Sequence, residues 1–219
     1  MNSTKSAIDF YNSLESQIQE KVAKLDILVE ESKDQLEGNC FYHGHARLTD
    51  WRFFYKRVNY TSVIRDFDVK RMLEIGFNAG HSSVIFLAAM PRDGEYISLD
   101  LGEHPYSRPC FDYLQTQYPQ IKEYIMGDSR KMLPELLNTR PNYVESFDCV
   151  HVDGGHSLDV VLSDIQYAHF LLKSKGILIL DDTQLPEILQ NIPPLLHVGY
   201  TFVNQIPTYG FSHAILQKY

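Results

Sequence analysis

Two short runs of this 219-residue chain gather residues able to hold a cation or move a proton. One is His151-Val152-Asp153-Gly154-Gly155-His156 and the other Asp181-Asp182-Thr183, each closing an apolar segment. If those segments are neighbouring parallel strands, Asp153 stands beside Asp181 and Asp182 at one sheet edge. Carboxylates crowded in this way repel one another unless something cationic sits among them. Oxygen donors without cysteine suit a hard divalent ion such as Mg²⁺, Mn²⁺ or Ca²⁺. His156, three residues past Asp153, is a candidate general base. The plainer reading makes Asp182 or Thr183 the cap of a helix starting near Pro186, and His156 a cap or solvent-facing residue. His151 alternates within a strand and reads as a core residue.

A third constellation lies earlier, in Glu74-Ile75-Gly76-Phe77-Asn78-Ala79-Gly80-His81-Ser82-Ser83. A dinucleotide fingerprint needs glycines at 76, 78 and 81, but 78 is Asn and 81 is His, so a pyrophosphate cradle is excluded. What is left is an acid two residues before a glycine, a second glycine four further on, and a helix to follow. Asp100 and Asp128-Ser129 close the next two apolar runs. Ligands of a doubly wound sheet sit at the carboxyl ends of its strands, where all of these residues fall. Asp128 also suits a helix cap, because Ser129-Arg130 opens a helix; Asp100 suits that role less.

The elements that must position these groups can be read from periodicity. Runs at 71–77, 95–101, 123–127, 147–153 and 176–181 read as strands, and 81–90, 111–118, 130–137 and 158–172 as the helices between them. In the last of these, Leu158, Val161, Leu162, Ile165, Ala168 and Leu172 mark one face. Alternating strands and helices predict a parallel sheet covered on both sides. Segments 200–206 and 211–217 flank Pro207-Thr208-Tyr209-Gly210 and predict a closing antiparallel hairpin. Near the N-terminus, Tyr11, Leu14, Ile18, Val22, Leu25 and Val29 define an amphipathic helix ending near Gly38-Asn39. It caps the domain or, on the sharper reading, joins two copies in a homo-oligomer. The expected division is a helical extension or lid at 1–60 and a main domain at 61–219. The aromatic stretch 41–60 packs on the sheet or forms the lid, with His43, His45 and Arg47 as candidate substrate contacts.

Glu74-x-Gly76-x-Asn78-x-Gly80 resembles motif I of the class I S-adenosylmethionine (SAM)-dependent methyltransferases. That resemblance implies a Rossmann-like α/β fold, with a seven-stranded, mostly parallel sheet and an antiparallel C-terminal hairpin. It also implies SAM contacts from Glu74, Gly76, Asn78, Gly80, Ser82, Ser83, Asp100, Asp128, Ser129 and Asp153. Asp100 would accept the ribose hydroxyls, and Asp128-Ser129 would meet the adenine. HVDGGHS followed by GILILDDT is similar to the metal-dependent O-methyltransferases, particularly those acting on sugars of macrolide and aminocoumarin antibiotics. Carried over, Asp153, Asp181 and Asp182 would hold Mg²⁺ or Mn²⁺, and His156 would take the proton of a sugar hydroxyl. The chain departs from some of these relatives in having Gly154 where they carry a second acid. A catechol-type enzyme with the same triad is one alternative, and a SAM-binding partner subunit without activity is another.

Composition narrows the field further. Hydrophobic residues make up 44% and charged residues 22%, as in an ordinary globular protein. With 20 basic against 28 acidic residues the net charge is −8, which disfavours a nucleic-acid partner and suits a small-molecule or glycan substrate. The longest apolar runs, 84–90 and 176–180, are far short of a membrane span, and no signal peptide is expected. Cys40, Cys110 and Cys149 are odd in number and without metal-ligand spacing, which predicts free thiols and a cytoplasmic setting.

Overall fold

A computed structural model of the protein describes residues 4–43, 48–49, 51–203, 206 and 212–219. The five apolar runs form parallel strands: β1 (Arg71–Ile75), β2 (Glu95–Asp100), β3 (Ile121–Met126), β4 (Phe147–Val152) and β5 (Leu172–Leu180). Two antiparallel strands, β6 (Tyr200–Phe202) and β7 (Ala214–Lys218), complete a seven-stranded sheet of order β3-β2-β1-β4-β5-β7-β6. The expected hairpin is therefore present, though its turn at 207–210 lies outside the described residues. Strand order reverses between β1 and β4. This is the switch point at which an open α/β sheet offers a crevice to ligands.

Strand alternation divides the core into two layers. Met72, Tyr96, Cys149, Ile177 and Ile179 point to one face, under α1 (Thr4–Ser32), α2 (Trp51–Asp66), α3 (His81–Ala89) and α4 (Ser107–Gln117). Leu73, Ile97, Val150, Leu178 and Leu180 point to the other, under α5 (Ser129–Thr139) and α6 (Leu158–Leu171). Burying whole apolar strands on both sides is what a parallel sheet requires. The short helices α7 (Pro186–Leu189) and α8 (Ile192–His197) lead into β6.

The N-terminal region differs from its expected form. Helix α1 ends at Ser32, followed by Lys33 in the left-handed region at φ 61°. Its stripe of Tyr11, Ile18, Val22, Leu25 and Val29 is buried against α2, α3 and α4. The stripe is therefore used by the chain's own core and is not available to join a second copy. The expected boundary after residue 60 falls inside α2, where Phe53 and Tyr60 are buried. Most of the aromatic stretch thus belongs to a packed helix. His45, Arg47 and the side chain of His43 lie outside the described residues.

Candidate active site

Hydrogen bonds just beyond the strand ends carry the chain to the crevice. Gly76 N donates to Leu99 O (2.8 Å), Asp153 N to Ile75 O (2.8 Å), and Asp181 N to Val152 O (3.0 Å). These extensions place the glycine loop, Asp153 and Asp181 at adjacent strand ends. Gly76 has φ +95°, and a Cβ there would lie 1.9 Å from the carbonyl oxygen of Asp153, so only glycine lets the loop press on the neighbouring strand. Asp100 pins the same loop. Its Oδ2 accepts from Phe77 N (2.9 Å) and Asn78 N (2.8 Å), while Oδ1 accepts from Gly102 N (2.8 Å). Tyr106 OH donates to Asn78 Oδ1 at 2.6 Å. Asp128 caps α5, accepting from Arg130 N at 3.0 Å, and Arg130 also binds its carboxylate directly.

A cleft of about 1110 Å³ opens over these ends. Its walls include Gly76, Asn78, Ser82, Asp100, Asp128, Ser129, Asp153, His156, Asp181 and Asp182. Gly80 turns the loop into α3 from just behind the wall. Glu74 and Ser83 are fully buried and do not line the cleft. The Glu74 carboxylate accepts from Ser82 Oγ (2.6 Å), Ser83 Oγ (2.5 Å), Tyr96 OH and His151 Nδ1 (3.0 Å). The reason is strand parity. Glu74 shares its face of β1 with Met72, in the layer beneath α3, and is registered with His151 of β4.

At the other end of the cleft the acids divide. Asp181 is 3% exposed, and donors surround it. Its Oδ1 meets Lys56 Nζ at 2.6 Å and accepts from Asp182 N at 2.8 Å, and its Oδ2 accepts from Tyr60 OH at 2.8 Å. Burial would raise its pKa, but Lys56 and His151 hold it well below the usual carboxylate range. Asp153 moves the opposite way, raised by burial and then by the charge of Asp181. His151 is opposed by burial, yet the carboxylates of Asp181, Glu74 and Asp153 push it up to about 10. Asp182 faces the cleft and meets His156 Nε2 at 3.1 Å, and this contact raises the histidine. Donor atoms within 4.8 Å of one another fall into two groups among the described residues: His151, Asp153 and Asp181 within the wall, and Asp153, His156 and Asp182 at its mouth.

Residues 73–183, half of the chain, match the family model described as a methyltransferase domain. The chain belongs to that family. It is a SAM-dependent methyltransferase with the seven-stranded fold that motif I implies. Among solved structures, this methyltransferase resembles the O-methyltransferase TomG of Streptomyces achromogenes, involved in tomaymycin synthesis and solved with SAM. Identity is 21%, over 73% of this chain and 77% of that one, with a TM-score of 0.57. It also resembles an O-methyltransferase of Bacillus cereus in complex with SAH, at 14% identity over 90% of each chain and a TM-score of 0.62. No curated protein matches it by sequence. No helix among its described residues is long and apolar enough to cross a membrane, and its three cysteines are buried and free.

Sequence reasoning missed Lys56 and Tyr60, which reach the site from α2. A lysine and a tyrosine four apart carry no signal of a partner more than a hundred residues away. It also missed His213, beside Tyr60 at 5.2 Å between ring centres. The amide of Asn59 is oriented by Ile206, whose N–H donates to Asn59 Oδ1 at 2.9 Å. Asn59 Nδ2 then donates to Ile206 O (2.7 Å) and to His213 Nε2 (3.1 Å), so that ring nitrogen must be an acceptor. Burial, with Lys56 and His151 nearby, lowers its pKa to about 3. The unfolded chain therefore takes up a proton below about pH 6.5 that the folded one refuses until about pH 3. Stability should fall on acidification through this window, by up to about 1.4 kcal/mol per pH unit from this residue. Urea titrations of the parent and His213→Gln between pH 7 and 4 should show a shallower slope in the variant.

Proposed function

We propose that this methyltransferase moves the SAM methyl group to a hydroxyl oxygen, most naturally that of a sugar or glycan. The observation carrying the reading is the juxtaposition of the glycine loop with Asp153, whose carbonyl lies against Gly76 and whose carboxylate lines the same cleft as His156 and Asp182. SAM held by the loop, Asp100 and Ser129 would present its methyl group on this side, with the acceptor opposite for in-line attack. A carboxyl with a raised pKa and a histidine next to it are suited to take the hydroxyl proton.

The acceptor class follows from charge. The cleft wall carries Glu30, Asp34, Glu37 and Glu103 besides the acids already named, against the opposing charges of Lys56 and Arg130. A wall of this sign favours a cationic cofactor and an uncharged polyol over a phosphorylated or carboxylated acceptor. Leu36, Tyr42 and Phe53 in the same wall support a second reading, a small phenol. Asp153 and Asp182 expose oxygen donors suited to Mg²⁺ or Mn²⁺, with His156 within reach, whereas Asp181, the third acid of the expected set, is engaged by Lys56 and Tyr60. A divalent ion, when bound, lowers the pKa of an acceptor hydroxyl.

The test incubates the protein with methyl-labelled SAM and a panel of neutral sugars and catechols, with Mg²⁺ or with EDTA. Asp153→Ala should lose turnover by about 10²–10⁴-fold, far more than any change in its SAH affinity. Label found on nitrogen or carbon, or an Asp153→Ala variant as active as the parent, would overturn the reading.

A further inference from the structure

We propose that Lys56 is the resident cation of the acidic cluster: its ammonium takes at Asp181 the place that a divalent ion would take, leaving Asp153 and Asp182 as the acids open to metal. The proposal rests on the acceptor-side reading above, in that these acids are taken to face a cation.

Lys56 is 5% exposed, yet its ammonium stands in the cleft wall 2.6 Å from Asp181 Oδ1. A buried ammonium loses several kcal/mol of hydration, and apolar residues of similar volume usually serve a core as well or better. Packing alone therefore gives no reason for a lysine here. Three carboxylates converging on one strand edge do give a reason, since they carry more negative charge than the single His151 ring, 3.7 Å from Asp181 and 4.0 Å from Asp153, can offset.

The way the charge is delivered is specific. Lys56 and Tyr60 are four residues apart on α2 and so share a helix face. Each takes a different oxygen of Asp181, Lys56 at Oδ1 and Tyr60 at Oδ2, while Asp182 N adds a second donor to Oδ1. A metal ion binding Asp181 would need an approach to an oxygen that these donors already cover. It would also stand within a few ångströms of a fixed positive charge. The helix is itself held in place: Arg57 donates from Nη1 to Cys40 O at 2.9 Å and from Nε to Tyr11 OH at 2.7 Å, tying α2 to the preceding segment and to α1. The N-terminal region is thereby part of the site, although it lies outside the residues 73–183 that match the family.

Mn²⁺ titrated into the SAH-saturated protein tests this without a known acceptor, using Lys56→Met, Lys56→Arg and the double variant Lys56→Met/Asp181→Asn. The double variant should bind Mn²⁺ as the parent does, within about twofold, because Asp181 is not a ligand in the parent. Lys56→Met alone should bind Mn²⁺ at least about 10-fold tighter, and Mn²⁺ should raise its melting temperature more than that of the double variant. Lys56→Arg keeps the charge and should match the parent. If Lys56→Met folds only when Mn²⁺ is supplied, the proposal is supported. If it stays unfolded with Mn²⁺ while the double variant folds, the proposal fails. A double variant binding about 10-fold more weakly than the parent would show Asp181 to be a ligand despite Lys56 and would overturn it. Mn²⁺ binding by Lys56→Met but not by the parent would keep Lys56 as the cation at Asp181 but overturn the assignment of Asp153 and Asp182 as acids open to metal.

Discussion

Glu74→Ala is expected to destabilise the protein by about 3–5 kcal/mol, the cost of leaving a buried ionic partner alone. Four donors converge on this carboxylate: the hydroxyls of Ser82, Ser83 and Tyr96, and the ring of His151. Alanine would leave His151 Nδ1 and two or three hydroxyls without their acceptor in a layer where Phe86 and Tyr60 leave no room for bulk water, with only Asp181 and Asp153 still near the other ring nitrogen. A domain of this size has roughly 5–15 kcal/mol in hand, so the loss is a large share of the total. The melting temperature should fall by roughly 10 °C. Glu74→Gln should recover part of the loss, because its carbonyl still accepts while hydroxyls can rotate to meet the amide. The check is a pair of urea titrations. A variant within about 1 kcal/mol of the parent would show that these hydrogen bonds are not what ties β1 to α3, β2 and β4.

The same residue shows what the sequence could and could not reveal. An acid two positions before Gly76 reads as a ligand contact when only the motif is considered. Strand parity adds a partner inside the sheet layer, since Glu74 and His151 are the polar members of apolar runs, and their faces coincide once β1 and β4 are paired. The strands, their order of appearance and the closing antiparallel pair were legible because apolar runs and turn residues are local signals. Asp153, Asp181 and Asp182 were legible as neighbours because parallel strands end together. How they share their cations was not legible. That depends on α2, whose sixteen residues carry aromatic and basic side chains on several faces and no clean period. Lys56 becomes meaningful only once α2 brings it to Asp181, just past the end of β5, a long-range fact that no local pattern encodes.

Asp100→Ala should weaken SAH binding by about 10²-fold or more while leaving most of the stability intact. The carboxylate is partly exposed at the end of β2, so water can reach the groups that lose it, among them the half-buried Tyr124 hydroxyl that donates to Oδ1 at 3.3 Å. The substitution does remove the acceptor shared by Phe77 N and Asn78 N, which holds two consecutive residues of the glycine loop, and the acceptor of Gly102 N just after β2. Hydrogen bonds to a charged acceptor contribute about 1.5–3 kcal/mol each where they are sheltered, and less where water can replace them. Losing one or two such contacts, together with the ribose hydroxyls expected to share this carboxylate, corresponds to roughly 3 kcal/mol, or about two decades in Kd. Asp100→Asn separates the two contributions. Its single carbonyl can still accept from the loop, but its amide group would face a backbone N–H, so an intermediate affinity is expected. Calorimetric titration of SAH into both variants, beside a thermal melt, decides the matter. Affinity lost with the melting temperature held within a few degrees would place Asp100 in cofactor binding. Affinity retained would mean that Tyr106, through Asn78, and the contact of Gly76 with Asp153 suffice to shape the loop without it.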